Sequence, residues 1–110
     1  MTEGGIYSID NGNGKFGIAK ILKVEPGIVH VRIYKNKFEP RPTSVNVEEL
    51  SLGSIHDKDG FGMEHLPISE RDFRQWKPVL LITKGVTEEE LEVYKLWKDA
   101  GGGVFGNLTK

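Results

Sequence analysis

Two clusters of turn-forming residues near the start of the chain constrain its fold more than anything else in it. Asp10-Asn11-Gly12-Asn13-Gly14 is built from residues that tolerate positive φ, and in Glu25-Pro26-Gly27 the proline fixes φ while the glycine supplies a left-handed position. They divide the first third of the sequence into three apolar runs, Ile6 to Ile9, Phe16 to Val24 and Ile28 to Tyr34. Strands joined by connections this short must be antiparallel neighbours, so the spacing predicts a three-stranded meander.

The third run alternates: Val29, Val31 and Ile33 share one face, and His30, Arg32 and Tyr34 share the other. The second run does not. Phe16, Ile18, Leu22 and Val24 fall on one face, interrupted by Lys20, while Ala19 and Ile21 fall on the other. A strand apolar on both faces is central and covered on both sides. The C-terminal half is expected to supply the second cover.

Further along, Pro40 and Pro42 make residues 38–43 an extended connection. Residues 45–50 fit either a short strand or a helical turn capped by Asn46. The glycine-rich, charged stretch 53–67 reads as a long ordered loop. Ser69 is placed to cap a short helix carrying Phe73 and Trp76 and stopped by Pro78. Val79-Leu80-Leu81-Ile82 reads as a buried strand. Thr87 and Glu90 form a capping box for a helix running to about Ala100, with Gly101 ending it. Val104 and Phe105 are expected to return to the core, and residues 107–110 to fray. Strands followed by helices define an α+β domain. Its expected form is an antiparallel β-meander, as an SH3-like small barrel or a curved sheet, with the C-terminal helices packed on one side. The expected core includes Val29, Val31, Ile33, Leu80, Ile82, Leu91, Tyr94 and Trp97.

Composition removes several classes of function. The 110 residues suit one domain, with an ordered core from about residue 5 to 105. Apolar residues at 37% exclude wholesale disorder. Without cysteine there is no disulfide, no thiol catalysis and no thiolate zinc site. No apolar run approaches the ~20 residues of a membrane helix, and the opening residues lack the basic and apolar regions of a secretory signal. A cytoplasmic protein with no membrane partner is the expectation.

The net charge of −1 conceals an asymmetry: residues 15–41 hold seven bases against Glu25 and Glu39, whereas Glu88, Glu89, Glu90 and Glu92 cluster at the last helix. Two solvated surfaces of opposite sign explain this, and the first would also suit nucleic acid or an acidic partner.

The motifs point to no reaction. Gly12, Gly14 and Gly17 match G-x-G-x-x-G but join two strands, where a dinucleotide fingerprint opens a helix. A kinase glycine loop does join strands, but its catalytic partner motifs are missing. His56, Asp57, Asp59, Glu64 and His65 crowd one segment, yet their spacing matches no EF-hand and no H-E-x-x-H helix. Tight metal binding is therefore not expected, nor any cofactor. The serines are scattered and none lies in G-x-S-x-G. Lysines and arginines interleaved with Phe16, Tyr34 and Phe38 suggest a single-strand nucleic-acid groove, but solvent-facing strand residues account for them more simply. Trp76 and Trp97 read as core.

The stretch Gly27-Ile28-Val29-His30-Val31-Arg32-Ile33-Tyr34 and its sequel Asn36, Phe38 and Arg41-Pro42-Thr43 carry a resemblance. So do Gly60-Phe61-Gly62, His65-Leu66-Pro67, Phe73, Trp76-Lys77-Pro78, Glu90-Leu91, Tyr94, Trp97 and Gly102-Gly103. Together they resemble a family of small bacterial proteins of unassigned function, across about Ile6 to Phe105. By pattern and size the β-rich half is distantly similar to SH3-like immunity proteins of bacterial toxin systems. The resemblance implies a bacterial, intracellular, single-domain protein that binds rather than catalyses.

The function expected from the sequence is thus a non-catalytic protein-binding module, with toxin neutralisation as one form of that role. A strand edge or the face of His30, Arg32 and Tyr34 would make the contact, and Arg41 and His65 are the further candidate contact residues. A nucleic-acid-binding small barrel and a small enzyme or metal protein centred on residues 56–65 are the alternatives.

Overall fold

The computed structural model describes residues 1–54, 56–58 and 60–103. Asp59 of the acidic segment, Val104, Phe105 and the tail residues 107–110 lie outside the described residues. The chain forms strands β1 (Gly5–Asp10), β2 (Phe16–Glu25), β3 (Ile28–Ile33), β4 (Met63–Ser69) and β5 (Val79–Thr83), and helices α1 (Glu70–Arg74) and α2 (Glu88–Asp99). All strand pairs are antiparallel, in the order β4-β3-β2-β1-β5. The fold is α+β. The outer strands β4 and β5 do not pair with each other, so the sheet is open and curved rather than closed into a barrel.

The meander is the expected one. Gly12, Asn13 and Gly14 take φ values of 82°, 45° and 80°, three successive left-handed residues that ordinary side chains resist. β2 lies in the middle of the sheet, and its Gly17 to Leu22 segment is buried on both faces. One detail departs from strict alternation. The register of β2 on β3 shifts between Ile21 and Lys23, so Leu22 is an inserted bulge residue. Beyond it Lys23 pairs with His30 and Val24 with Val29. Val24 therefore joins the face of Ile21 rather than that of Ile18.

Each sheet face has its own cover. On one, Tyr7, Ile9, Ala19, Ile21, Val29, Val31, Leu66 and Ile68 pack beneath Phe73 of α1 and Trp76. Phe73 is fully buried and meets Tyr7 edge-on, with ring centroids 6.3 Å apart. On the other, Ile6, Ile18 and Tyr34 lie under Phe38, Val45, Val47, Leu50 and Leu52 of the long β3–β4 connection. That connection contains a 3-10 turn at Val47–Glu49, capped by Asn46. Tyr94 and Trp97 of α2 cover the same face at His30. The two helices thus divide between opposite faces instead of sharing one side, because α1 follows the end of β4 directly while α2 is reached after β5 has crossed to the far edge.

Two readings of the sequence are corrected. Residues 63–67 belong to β4, not to a loop. Pro67 is compatible with a strand because β4 is an edge. Gly62 is where the chain enters it: a Cβ there would stand 1.9 Å from the Ile33 carbonyl oxygen. Second, β5 is not buried. Val79 is 48% exposed, Leu80 49% and Ile82 41%. The strand hydrogen-bonds β1 on one side and has no strand beyond it among the described residues. Of the other expected core residues, Val29, Val31 and Tyr94 are buried, whereas Ile33, Leu91 and Trp97 are half-buried.

The cap of α1 can be tested in isolation. Ser69 is buried, and its hydroxyl accepts from the Asp72 backbone N–H at 3.2 Å. Ser69→Ala is expected to cost about 0.5–2 kcal/mol, read from the urea unfolding midpoint.

Candidate functional site

The polar face of β3 is closed rather than open. His30 is fully buried and Tyr34 nearly so, under α2 and the long connection. His30 Nε2 lies 2.8 Å from Glu25 Oε1, and its Nδ1 lies 2.9 Å from His65 Nε2. The second oxygen of Glu25 accepts from the Tyr94 hydroxyl at 2.9 Å. The two imidazoles are parallel to within 5°, with centroids 5.1 Å apart. Combined with the short nitrogen–nitrogen distance, this places them edge to edge in one plane, not face to face. Tyr94 and Trp97 meet His30 edge-on at 4.7 and 4.5 Å.

The partners assign the protons. An ionised Glu25 only accepts, so His30 donates from Nε2 and accepts at Nδ1. His65 then donates from Nε2 and keeps Nδ1 as an acceptor. Charges respond accordingly. The hydrogen bond from His30 holds the Glu25 carboxyl below its usual range, against the opposing effect of burial. Burial pushes His30 down, and Glu25 only partly offsets this. Burial, with His30 beside it, pushes His65 down to about 4. Burial and the Glu25 hydrogen bond raise the Tyr94 hydroxyl. Near neutral pH the relay is therefore one carboxylate and two neutral imidazoles.

A second network adjoins it. Lys20, 4% exposed at the centre of the sheet, donates to both oxygens of Glu90 at 3.0 and 3.1 Å and to the Gly85 carbonyl at 3.1 Å. Arg32 stands 3.8 Å from Glu90 and donates to the Glu64 carbonyl at 3.2 Å. Burial raises the Glu90 pKa, but the Thr87 backbone, Lys20 and Arg32 together outweigh it and leave it lowered. Burial, with Glu90 near, raises that of Tyr34.

Of the five residues singled out in the sequence, His30 and His65 are thus brought into direct contact. Arg32 and Tyr34 share the face of His30, grouped around Glu90. Arg41 stands apart. Its Nε donates to Ser8 Oγ at 2.8 Å, another nitrogen donates to the Lys77 carbonyl, and its guanidinium lies 4.9 Å above the Phe16 ring. It ties the long connection to β1 and to the approach of β5.

A carboxylate orienting an imidazole is the logic of general-base sites, and here the relay ends on His65. No hydroxyl or amine among the described residues is hydrogen-bonded to His65 as a nucleophile would be. Nor do three His, Asp or Glu side chains converge as metal ligands among them. The acidic segment is dispersed: Asp57 pairs with Lys35 at 3.1 Å and accepts from Ser54 N–H, while His65 turns into the relay.

The open surface lies at the other end of the sheet. The outer edge of β5 presents Val79, Leu80 and Ile82, with Lys77 and Lys84 at its two ends. The sequence reading missed this edge because four consecutive apolar residues mimic a buried strand. The lysines bracketing them were the available signal. It also missed Glu25, which reads as a turn residue until α2 is folded over it.

A scan against family models, a search of curated proteins and a search of solved structures each give no match. Among the described residues no helix is long and apolar enough to cross a membrane.

Proposed function

We propose that this chain is a non-catalytic protein-binding module that takes an extended segment of another protein onto the outer edge of β5. One observation carries the reading: an edge strand with no proline and no charge within it exposes Val79, Leu80 and Ile82. Natural edge strands are normally blunted against pairing, and a bare apolar one is a template for strand addition. The opposite edge is blunted in that way. β4 carries Glu64, His65 and Pro67, and α2 packs against it.

The closed face of β3 supports the choice of the edge over His30, Arg32 and Tyr34 as the contact. The basic segment supports protein over nucleic acid, since Lys20, Arg32, Lys35 and Arg41 are each engaged within the chain.

Amide hydrogen exchange tests the reading. A soluble, capped peptide of alternating valine and threonine, added in excess, is expected to slow exchange within Val79–Thr83. It should leave the β3–β4 ladder unchanged. Unaltered exchange along β5 would remove strand addition as the function.

A further inference from the structure

Resting on that reading, we infer that the β5 edge is matched to a partner strand that is apolar in its middle and acidic at both ends. The strand Val79–Thr83 carries no charge, while Lys77 and Lys84 bracket it. Both lysines are exposed, and neither forms an ion pair with a described residue. They are seven positions apart in the chain, one on each side of the five-residue strand. An added strand of ordinary length would end near each of them.

The edge offers both kinds of contact such a strand needs. The Lys84 N–H donates inward to the Gly4 carbonyl at 2.9 Å. Antiparallel alternation then turns the N–H and C=O of Thr83 outward, free for a new ladder. Side chains are available on both faces. Val79 and Ile82 pair with Ser8 and Ile6 on the α2 side, and Leu80 pairs with Tyr7 on the α1 side. A partner therefore gains apolar contact above and below the sheet.

The same lysines argue against a second copy of this chain. An antiparallel self-pair sets Lys84 of one strand near Lys77 of the other, twice by symmetry. A parallel pair sets each lysine beside its own counterpart. Like charges opposed across a ladder are destabilising, whereas aspartate or glutamate at the same places is attracted. Edge lysines in this arrangement reject the homodimer and select the acidic partner.

The test uses the full chain and three fluorescent peptides sharing one valine–threonine centre, flanked by two aspartates, two serines or two lysines at each end. Anisotropy titrations are expected to rank them in that order. The aspartate peptide should bind about tenfold tighter than the lysine peptide, with the gap narrowing as salt is added. Lys77→Glu with Lys84→Glu should invert the ranking. Thr83→Pro, which removes an outward donor, should weaken all three.

Equal affinities, unmoved by the charge reversals, would overturn the acidic-partner inference and leave strand addition standing. No binding by any peptide would overturn strand addition itself. Sedimentation showing a dimer that Thr83→Pro dissociates would make the occupant a second copy and also overturn the inference.

Discussion

Glu90→Ala is expected to destabilise the protein by about 3–5 kcal/mol, the range for removing one partner of a buried ion pair. Three roles meet in this side chain. It closes the capping box by accepting from the Thr87 backbone N–H at 2.9 Å. Both of its oxygens hold the Lys20 ammonium, and it stands beside Arg32. Without it Lys20 remains in the middle of the sheet with only the Gly85 carbonyl. The loss is thus mainly the desolvation of an unpaired ammonium, with the cap contributing about a further kilocalorie.

Glu88 makes the contrast. From an exposed position it pairs with Lys95 two turns further along the helix, and Glu88→Ala should leave the urea midpoint close to that of the parent chain. Urea midpoints for the two variants measure the difference. Lys20→Met combined with Glu90→Leu should recover much of what either change loses alone, because the buried charge is then gone. A double variant as unstable as the sum of the singles would show that the pair is not what anchors α2.

Acidification is expected to unfold the protein earlier than its carboxylates alone would. His30 and His65 both have folded-state pKa values below the ordinary 6.5, that of His65 at about 4. The unfolded chain therefore binds more protons over that interval. Stability is fully present above about pH 6.5 and is lost as the pH falls toward 4. For His65 the loss is well below the full conversion of that shift, on the order of 1–2 kcal/mol, since its ring is partly solvated. Glu25 acts lower down. Its pKa is held below 4.5, so its contribution persists above that value and disappears beneath it.

The charges facing the relay do not reverse this sign. Lys23 lies across from His30 on β2, and Lys98 lies 4.0 Å from Glu25 on α2. Both oppose protonation of His30. Unfolding midpoints measured from pH 8 to 4.5 should fall steadily. In His65→Gln, whose amide still donates to His30 without titrating, the fall should be shallower. An identical slope would place the titration elsewhere.

Local chemistry explains which parts of this structure were legible in the sequence. The turns at residues 11–15 and 26–27, the caps at Ser69 and Thr87 and the alternation of β3 all depend on neighbours in the chain, and they lie where they were expected. β4 was hidden because Gly60 and Gly62 just before it and Pro67 within it are loop residues by composition, and only an edge position makes the proline compatible with a strand. The burial of His30 could not be read from its alternating, solvent-like pattern. It requires α2 to fold back from the far end of the chain and Glu25 to meet it. The bulge at Leu22 was equally silent, since inserting one residue leaves no mark on composition.

The place of β1 between β2 and β5 carries a consequence for how the chain acquires its structure. β1 ends at Asp10 and its outer neighbour begins only at Val79. During synthesis the β1–β2–β3 meander can assemble from local contacts as soon as it emerges. The outer rim of β1 must then wait until Val79–Thr83 has been made. Such distant pairings close slowly, and the waiting rim is a site where unfinished chains can associate. The pairing of Val79–Thr83 with β1 is thus the sheet contact of greatest sequence separation, and α2, which covers the histidines, follows it in the chain.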